Sequence, residues 1–161
     1  MKKVISQDLS LYTTGRYPFV NKNSSKLKNQ VVIGIGGNVG NTKTIFDKLF
    51  LHFSQNAHFQ IQRTSPILQN PPFGFLEQND FYNAIIVLKT NLDAHSCLKI
   101  FQRYEKRFKR KRSFKDAPRT LDIDIIFFND QRINSENLIV PHPHYHERIS
   151  VLLPLQFVLS V

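Results

Sequence analysis

Two carboxylates, Asp122 and Asp124, stand one residue apart in Leu121-Asp122-Ile123-Asp124-Ile125-Ile126-Phe127-Phe128. The rest of this run is apolar, β-branched or aromatic and reads as a strand. Side chains alternate across a strand, so Asp122 and Asp124 share one face. Leu121, Ile123, Ile125 and Phe127 are assigned to the other, where they can enter a core. Strand rise sets the two aspartate Cα atoms roughly 6.5–7 Å apart. Carboxylates so placed can converge on one or two Mg²⁺ ions, which lie about 3.5–4 Å apart in two-metal sites. A solvated strand face is the bland alternative. Aspartate is depleted in strands, however, and the densest basic run of the chain, Lys106 to Lys115, lies just upstream. Carboxylates for Mg²⁺ beside Arg and Lys for phosphate oxygens are the parts phosphoryl transfer needs.

Two other stretches invite chemistry. Gly34-Ile35-Gly36-Gly37-Asn38-Val39 lacks the third small residue of a dinucleotide fingerprint. Gly37 to Thr44 approaches G-x-x-x-x-G-K-[ST], but Thr42 occupies the place of the second glycine, which lets the backbone wrap phosphates. A tight strand-to-helix turn is the better reading. Three histidines, His142, His144 and His146, alternate with Pro141 and Pro143. With extended backbone and no cysteine nearby, a solvated or phosphate-contacting loop is favoured over zinc.

The elements that must position these groups follow from periodicity. Val31 to Gly36 is a buried strand, and Asn38 or Asn41 caps a helix with Ile45, Leu49 and Phe53 on one stripe. Phe59 to Arg63 alternates as a second strand. Residues 65–80, with Pro66, Pro71, Pro72 and Gly74, read as a long loop of the kind that often carries function. Phe81 to Leu88, apolar on both faces, is a third and central strand. Asn91 or Asp93 opens a second helix with Ala94, Cys97, Leu98, Phe101, Tyr104 and Phe108 along its stripe. The aspartate strand comes next, and Leu152 to Val158 closes the chain as a helical turn or two. Strand, helix, strand, strand, helix, strand is the ferredoxin-like order. An α+β sandwich with helices on one face of a mainly antiparallel sheet is expected.

Residues 1–30 look separate from the domain at 31–161. Leu11, Tyr12, Tyr17, Phe19 and Val20 flank Gly15 and Pro18 as a possible short hairpin, and Asn21 to Asn29 reads as a polar linker. The length of 161 residues fits one domain. The lone Cys97 excludes an intrachain disulfide. No apolar run nears the roughly 20 residues of a membrane span, and Ser6, Gln7 and Asp8 interrupt any signal-like start. A cytoplasmic monomer without a membrane partner is expected. The net charge of +10 calls for an anionic partner: nucleic acid, anionic membrane or polyphosphate.

Lys115-x-Ala117-Pro118-Arg119-x-x-Asp122-Ile123-Asp124-Ile125-Ile126 resembles the signature of the 6-hydroxymethyl-7,8-dihydropterin pyrophosphokinase family. Ile35-Gly36-Gly37-Asn38, Pro71-Pro72-Phe73-Gly74, Phe81-Tyr82-Asn83, Glu105, Val140-Pro141-His142, Arg148 and Leu153-Pro154-Leu155 match further family positions in order. The resemblance covers about residues 31–157. It implies transfer of the β,γ-pyrophosphoryl group of ATP to the pterin hydroxymethyl oxygen, with release of AMP. It implies two Mg²⁺ ions on Asp122 and Asp124, and Arg110, Arg112 and Arg119 on phosphate oxygens. Guanidinium suits that task because its fork is planar and always charged. Gln102, Glu105, His142 and Arg148 match nucleotide-side positions; Leu98 and Ile125 match residues lining adenine or ribose. Asn70, Pro71, Phe73, Phe81 and Asn83 match the pterin pocket. The chain departs from the pattern at Lys109, where the family has glycine, and at Asp116, where it has an aromatic. It departs again at Ser150, in place of a second pterin-stacking Phe. A substitute ring from Phe114 or Tyr145 is expected there. The competing class, a basic ferredoxin-like module binding single-stranded nucleic acid, lacks the K/R-G-F/Y-G/A-F-V motif, and no nucleic-acid partner is expected.

Overall fold

In the computed structural model, residues 1–109 and 114–159 are described. Three short strands come first: β1 (Lys2–Val4), β2 (Ser10–Tyr12) and β3 (Phe19–Val20). The central elements follow as β4 (Asn29–Gly37), α1 (Thr42–Gln55), β5 (Phe59–Thr64), β6 (Ile67–Asn70), β7 (Phe81–Thr90), α2 (Ala94–Arg107) and β8 (Asp122–Phe128). The chain continues through β9 (Ile133–Asn134), β10 (Ile139–Val140), a 3₁₀ turn at Tyr145–Glu147 and α3 (Ile149–Leu159).

The doubly apolar β7 is central, as its composition predicts. It pairs with β4 on one side and, on the other, with β5 along its later half and β6 along its first residues. β4 pairs in turn with β8, and every pairing among the described residues is antiparallel. The order β8, β4, β7, β5 is that of a ferredoxin-like sheet. Residues 65–80, read as loop, contain the strand β6. Its four residues, boxed between Pro66 and Pro71, are too few for a period to show.

Both long helices start where an Asx cap is available. Asn41 accepts from the amide of Thr44, and Asp93 accepts from that of Ser96 at 2.8 Å. These bonds to Ser96 hold the Asp93 carboxyl below its usual range. α2 ends on Lys106 and Arg107, which favour the negative end of its dipole. Phe46, Leu49 and Phe53 of α1 and Cys97, Phe101 and Tyr104 of α2 pack on Ile33, Ile35, Ile123 and Ile125 of one sheet face. Helices on one face is therefore right for α1 and α2 only. α3, longer than a turn or two, covers the other face, where Leu155 and Val158 meet Val32, Ile85 and Ile126.

A register shift between β4 and β8 alters one side-chain assignment. Val32 pairs with Phe127 and Ile33 with Ile125, so Ile126 is an extra residue. Beyond it the alternation inverts, and Phe127 packs with Tyr145 on the α3 side rather than beside Ile125. The carbonyl of Ile126 is taken by the amide of His142 at 3.0 Å.

The first thirty residues lie along the sheet. The hairpin is β1 with β2, not the Leu11–Val20 segment; β2 then pairs with β6, and β3 with β5. Tyr17, between them, is fully buried in the main core and donates its hydroxyl to the Phe46 carbonyl at 2.8 Å.

Candidate active site

Asp122 and Asp124 reach the same cleft because alternation holds over this part of β8. Their cross-strand partners are Gly36 and Gly34, so no side chain of β4 stands in front of either carboxylate. Gly36 pairs on its other side with Asn83 of β7. Asp122, Gly36 and Asn83 thus form one row across three strands, and the Asn83 amide oxygen occupies the place a Cβ on Gly36 would need, 2.6 Å from it. Gly37 meets a second requirement: a Cβ there would lie 2.5 Å from the carbonyl oxygen of Thr120, so only glycine permits this approach to the entry of β8.

The cleft is a cavity of about 130 Å³ that opens to solvent. The predicted ring-binding residues Asn70, Phe73, Phe81 and Asn83 line it. Asn83 donates to Asn70 at 2.6 Å, which fixes both amides. Pro71 stands outside the lining and offers its carbonyl to the Asn70 amide at 2.9 Å. Arg119 lines the cleft with the aspartates. Its guanidinium lies 5.4 Å from the Phe81 ring centre, donates to the Ala117 carbonyl at 3.0 Å and pairs with Asp122 at 3.3 Å.

A second groove, of about 290 Å³, lies on the other side of β8. Leu98, Gln102, Glu105, Ile125 and His142, the predicted nucleotide-side residues, line it together. Glu105 is buried and accepts from the amide of Ile123 at 2.9 Å, holding the segment between the two aspartates. His142 is kept below the usual imidazole range by burial first, then by the Arg148 and His144 charges, with Asp122 opposing. Arg148, predicted with the nucleotide residues, lines the cleft instead, beside Ser150. Asp124 lines both spaces.

Arg110 and Arg112 fall outside the described residues. Neither Phe114 nor Tyr145 lines the cleft at Ser150; Phe114 packs edge-on to Phe75, and Tyr145 packs on Phe127. Each neighbour is distant in sequence, which is why proximity along the chain misleads here. Asp116 does line the cleft, a residue noticed only as a departure from the family pattern. Lys109, where the family has glycine, adopts a φ of 62°, the left-handed conformation that glycine favours after a helix.

Among the described residues no group of three or more His, Cys, Asp or Glu side chains could hold a metal ion. A pair of carboxylates fits Mg²⁺, which keeps several waters and shares its sphere with substrate phosphates. His144 and His146 instead approach Glu147, at 3.2 and 3.6 Å. No helix among the described residues is long and apolar enough to cross a membrane.

Residues 32–160 match the family model of 7,8-dihydro-6-hydroxymethylpterin-pyrophosphokinase. The chain belongs to this family. It is 45% identical over 139 residues to the 2-amino-4-hydroxy-6-hydroxymethyldihydropteridine pyrophosphokinase of Campylobacter jejuni, covering 86% of this chain and 88% of the relative. The Helicobacter pylori enzyme of the same name is 44% identical over 147 residues, 90% of each chain. That of Bacillus subtilis is 35% identical over 129 residues, 80% of this chain and 77% of the relative. A match over 90% of this chain must reach into its first thirty residues, so the family resemblance extends into the sheet-bound arm in at least one relative.

Proposed function

We propose that this pyrophosphokinase-family protein transfers pyrophosphate from ATP to the hydroxymethyl group of 6-hydroxymethyl-7,8-dihydropterin. The observation that carries the reading is the position of Asp124. It borders both the cleft with the ring-binding residues and the groove with the nucleotide residues. A triphosphate running from groove to cleft passes the two carboxylates on its way. The pterin oxygen bonds to the β-phosphorus, the bond from that phosphorus to the α,β-bridging oxygen breaks, AMP leaves and the hydroxyl proton is released.

Asp122 and Asp124 would hold two Mg²⁺ ions, whose chemistry there is to neutralise phosphate charge and align the triphosphate. Arg119, with Arg110 and Arg112 of the basic run, binds phosphate oxygens; Arg148, which opens to the cleft, serves the transferred end. Leu98, Gln102, Glu105, Ile125 and His142 receive the nucleotide. Asn70, Pro71, Phe73, Phe81 and Asn83 receive the pterin. Positioning and charge carry most of such catalysis. Residues 31–161 are the catalytic domain and residues 1–30 an added arm. The protein works as a cytoplasmic monomer on small molecules, without nucleic acid.

A product assay with ATP, Mg²⁺ and the pterin tests this. Pterin-dependent AMP is expected. ADP would mean γ-phosphoryl transfer instead. No turnover, with tight salt-sensitive binding of single-stranded RNA or DNA, would favour a nucleic-acid module.

A further inference from the structure

Three loops meet on the side-chain amide of Gln78. Its Nε2 donates to the carbonyl of Phe75 at 2.7 Å and to that of Asp116 at 2.9 Å. Its Oε1 accepts from Nδ2 of Asn38 at 2.9 Å. Asn38, itself buried, also donates to the Asn79 carbonyl at 2.9 Å, accepts from the Arg119 amide at 3.0 Å and sends its own amide to the Arg119 carbonyl at 2.9 Å. Both donors and the acceptor of Gln78 are thus engaged. The loop after β4, the loop before β7 and the loop before β8 are joined in series.

The two outer loops also touch directly beside this amide. Gly74, at φ +69°, lies against the carboxylate of Asp116, at φ +59°, so closely that a Cβ on Gly74 would overlap it. Phe75 packs edge-on to Phe114 with ring centres 5.3 Å apart. Asp116 holds a left-handed backbone, which a short polar side chain tolerates; the bond from Gln78 to its carbonyl adds to what holds it there. One loop carries Phe73 and the other leads to Arg119, both lining the same cleft.

We propose that Gln78 is a positioning residue for pterin binding: a clasp that sets the distance between the Phe73 wall and the Arg119 wall. The proposal rests on the reading that this cleft takes the pterin. A clasp of this kind acts on the ring substrate and leaves the groove beyond β8 alone. A residue that merely stabilises the fold would affect both substrates or neither.

The test uses Gln78→Met, which keeps length and volume but cannot donate, and Gln78→Glu, which keeps the acceptor and loses the donors. The expected result for both is a roughly tenfold rise in KM and Kd for the pterin, with KM for ATP within about twofold. Melting temperature should fall by less than about 5 °C. Amide exchange at Arg119, whose N–H bonds to Asn38, should quicken. Unchanged pterin affinity, or KM values for both substrates rising together with a large melting shift, overturns the clasp. If the wild type makes no pterin-dependent AMP, the functional reading fails, and pterin Kd with Arg119 exchange decides the clasp. Unchanged values overturn it and the expected changes sustain it.

Discussion

The guanidinium of Arg119 lies 3.3 Å from the carboxylate of Asp122 while facing the ring of Phe81 at 5.4 Å. One cation therefore joins the acid assigned to metal binding to the ring assigned to pterin stacking. Asp122→Asn and Asp124→Asn test the acidic side of this junction. Asparagine has nearly the shape of aspartate, so each substitution removes the charge with little change in volume. Turnover should fall by more than about 100-fold, while circular dichroism melts stay near wild type. A chelator should abolish wild-type turnover and added Mg²⁺ restore it. Variants with near-normal activity would falsify the metal assignment.

Ser150 leaves the cleft without the second aromatic of the family pattern, and among the described residues Phe73 is the other phenyl ring that lines it beside Phe81. Phe73→Ala should weaken pterin binding several-fold, about one stacking increment of 0.5–1.5 kcal/mol. Tyr145→Ala should leave pterin affinity unchanged and lower the melting temperature, because that ring packs on Phe127. Calorimetric titration into the ATP-analogue complex separates these effects. A Tyr145→Ala defect in pterin binding, with Phe73→Ala normal, reverses the assignment.

The arm should be integral to stability. Tyr17 is fully buried among Phe46 and Phe50. Tyr17→Ala should cost about 3–5 kcal/mol, the range for emptying an aromatic site. Tyr17→Phe should cost about 1 kcal/mol, one hydrogen bond to the Phe46 carbonyl. Urea unfolding measures both. Removal of residues 1–29 without loss of stability would contradict the packing.

Lys109 holds a left-handed backbone just past the end of α2. A Cβ in that region costs about 1–2 kcal/mol per residue. Lys109→Gly should recover about 1 kcal/mol of stability, less what added chain entropy removes. A thermal or urea midpoint that falls on this substitution would show that the lysine makes a compensating contact.

Stability should decline as pH falls below 6.5. Burial, with the Arg148 charge, lowers the His142 pKa, and burial, with the Arg107 charge, lowers that of His52. Between each lowered value and 6.5 the unfolded chain binds more protons than the folded one. Stability from these groups is thus fully present above 6.5 and lost as pH drops through the window. The urea midpoint at pH 5.5 should lie below that at pH 7.5, and His142→Asn should narrow the gap. An unchanged gap would remove His142 from the linkage.

Local pattern was enough to place the aspartates on one strand face, because alternation is a property of consecutive residues. It placed the stripes of α1 and α2 for the same reason, and the specific run from Lys115 to Ile126 carried the family. Other features depend on partners far along the chain. Nothing near Asp122 announces that Gly36 will face it, or that Asn83 will stand beyond. The extra residue at Ile126, which turns Phe127 to the opposite side, exists only in the register with Val32 and Ile33. α3 is apolar all round, so no period reveals that it covers the second face of the sheet. Tyr17 reads as one side chain of a possible short hairpin until Phe46 and Phe50 enclose it. Long-range pairing chose these neighbours: a sheet buries a side chain according to what lies across it, and the order of residues states only which side chains lie on the same side.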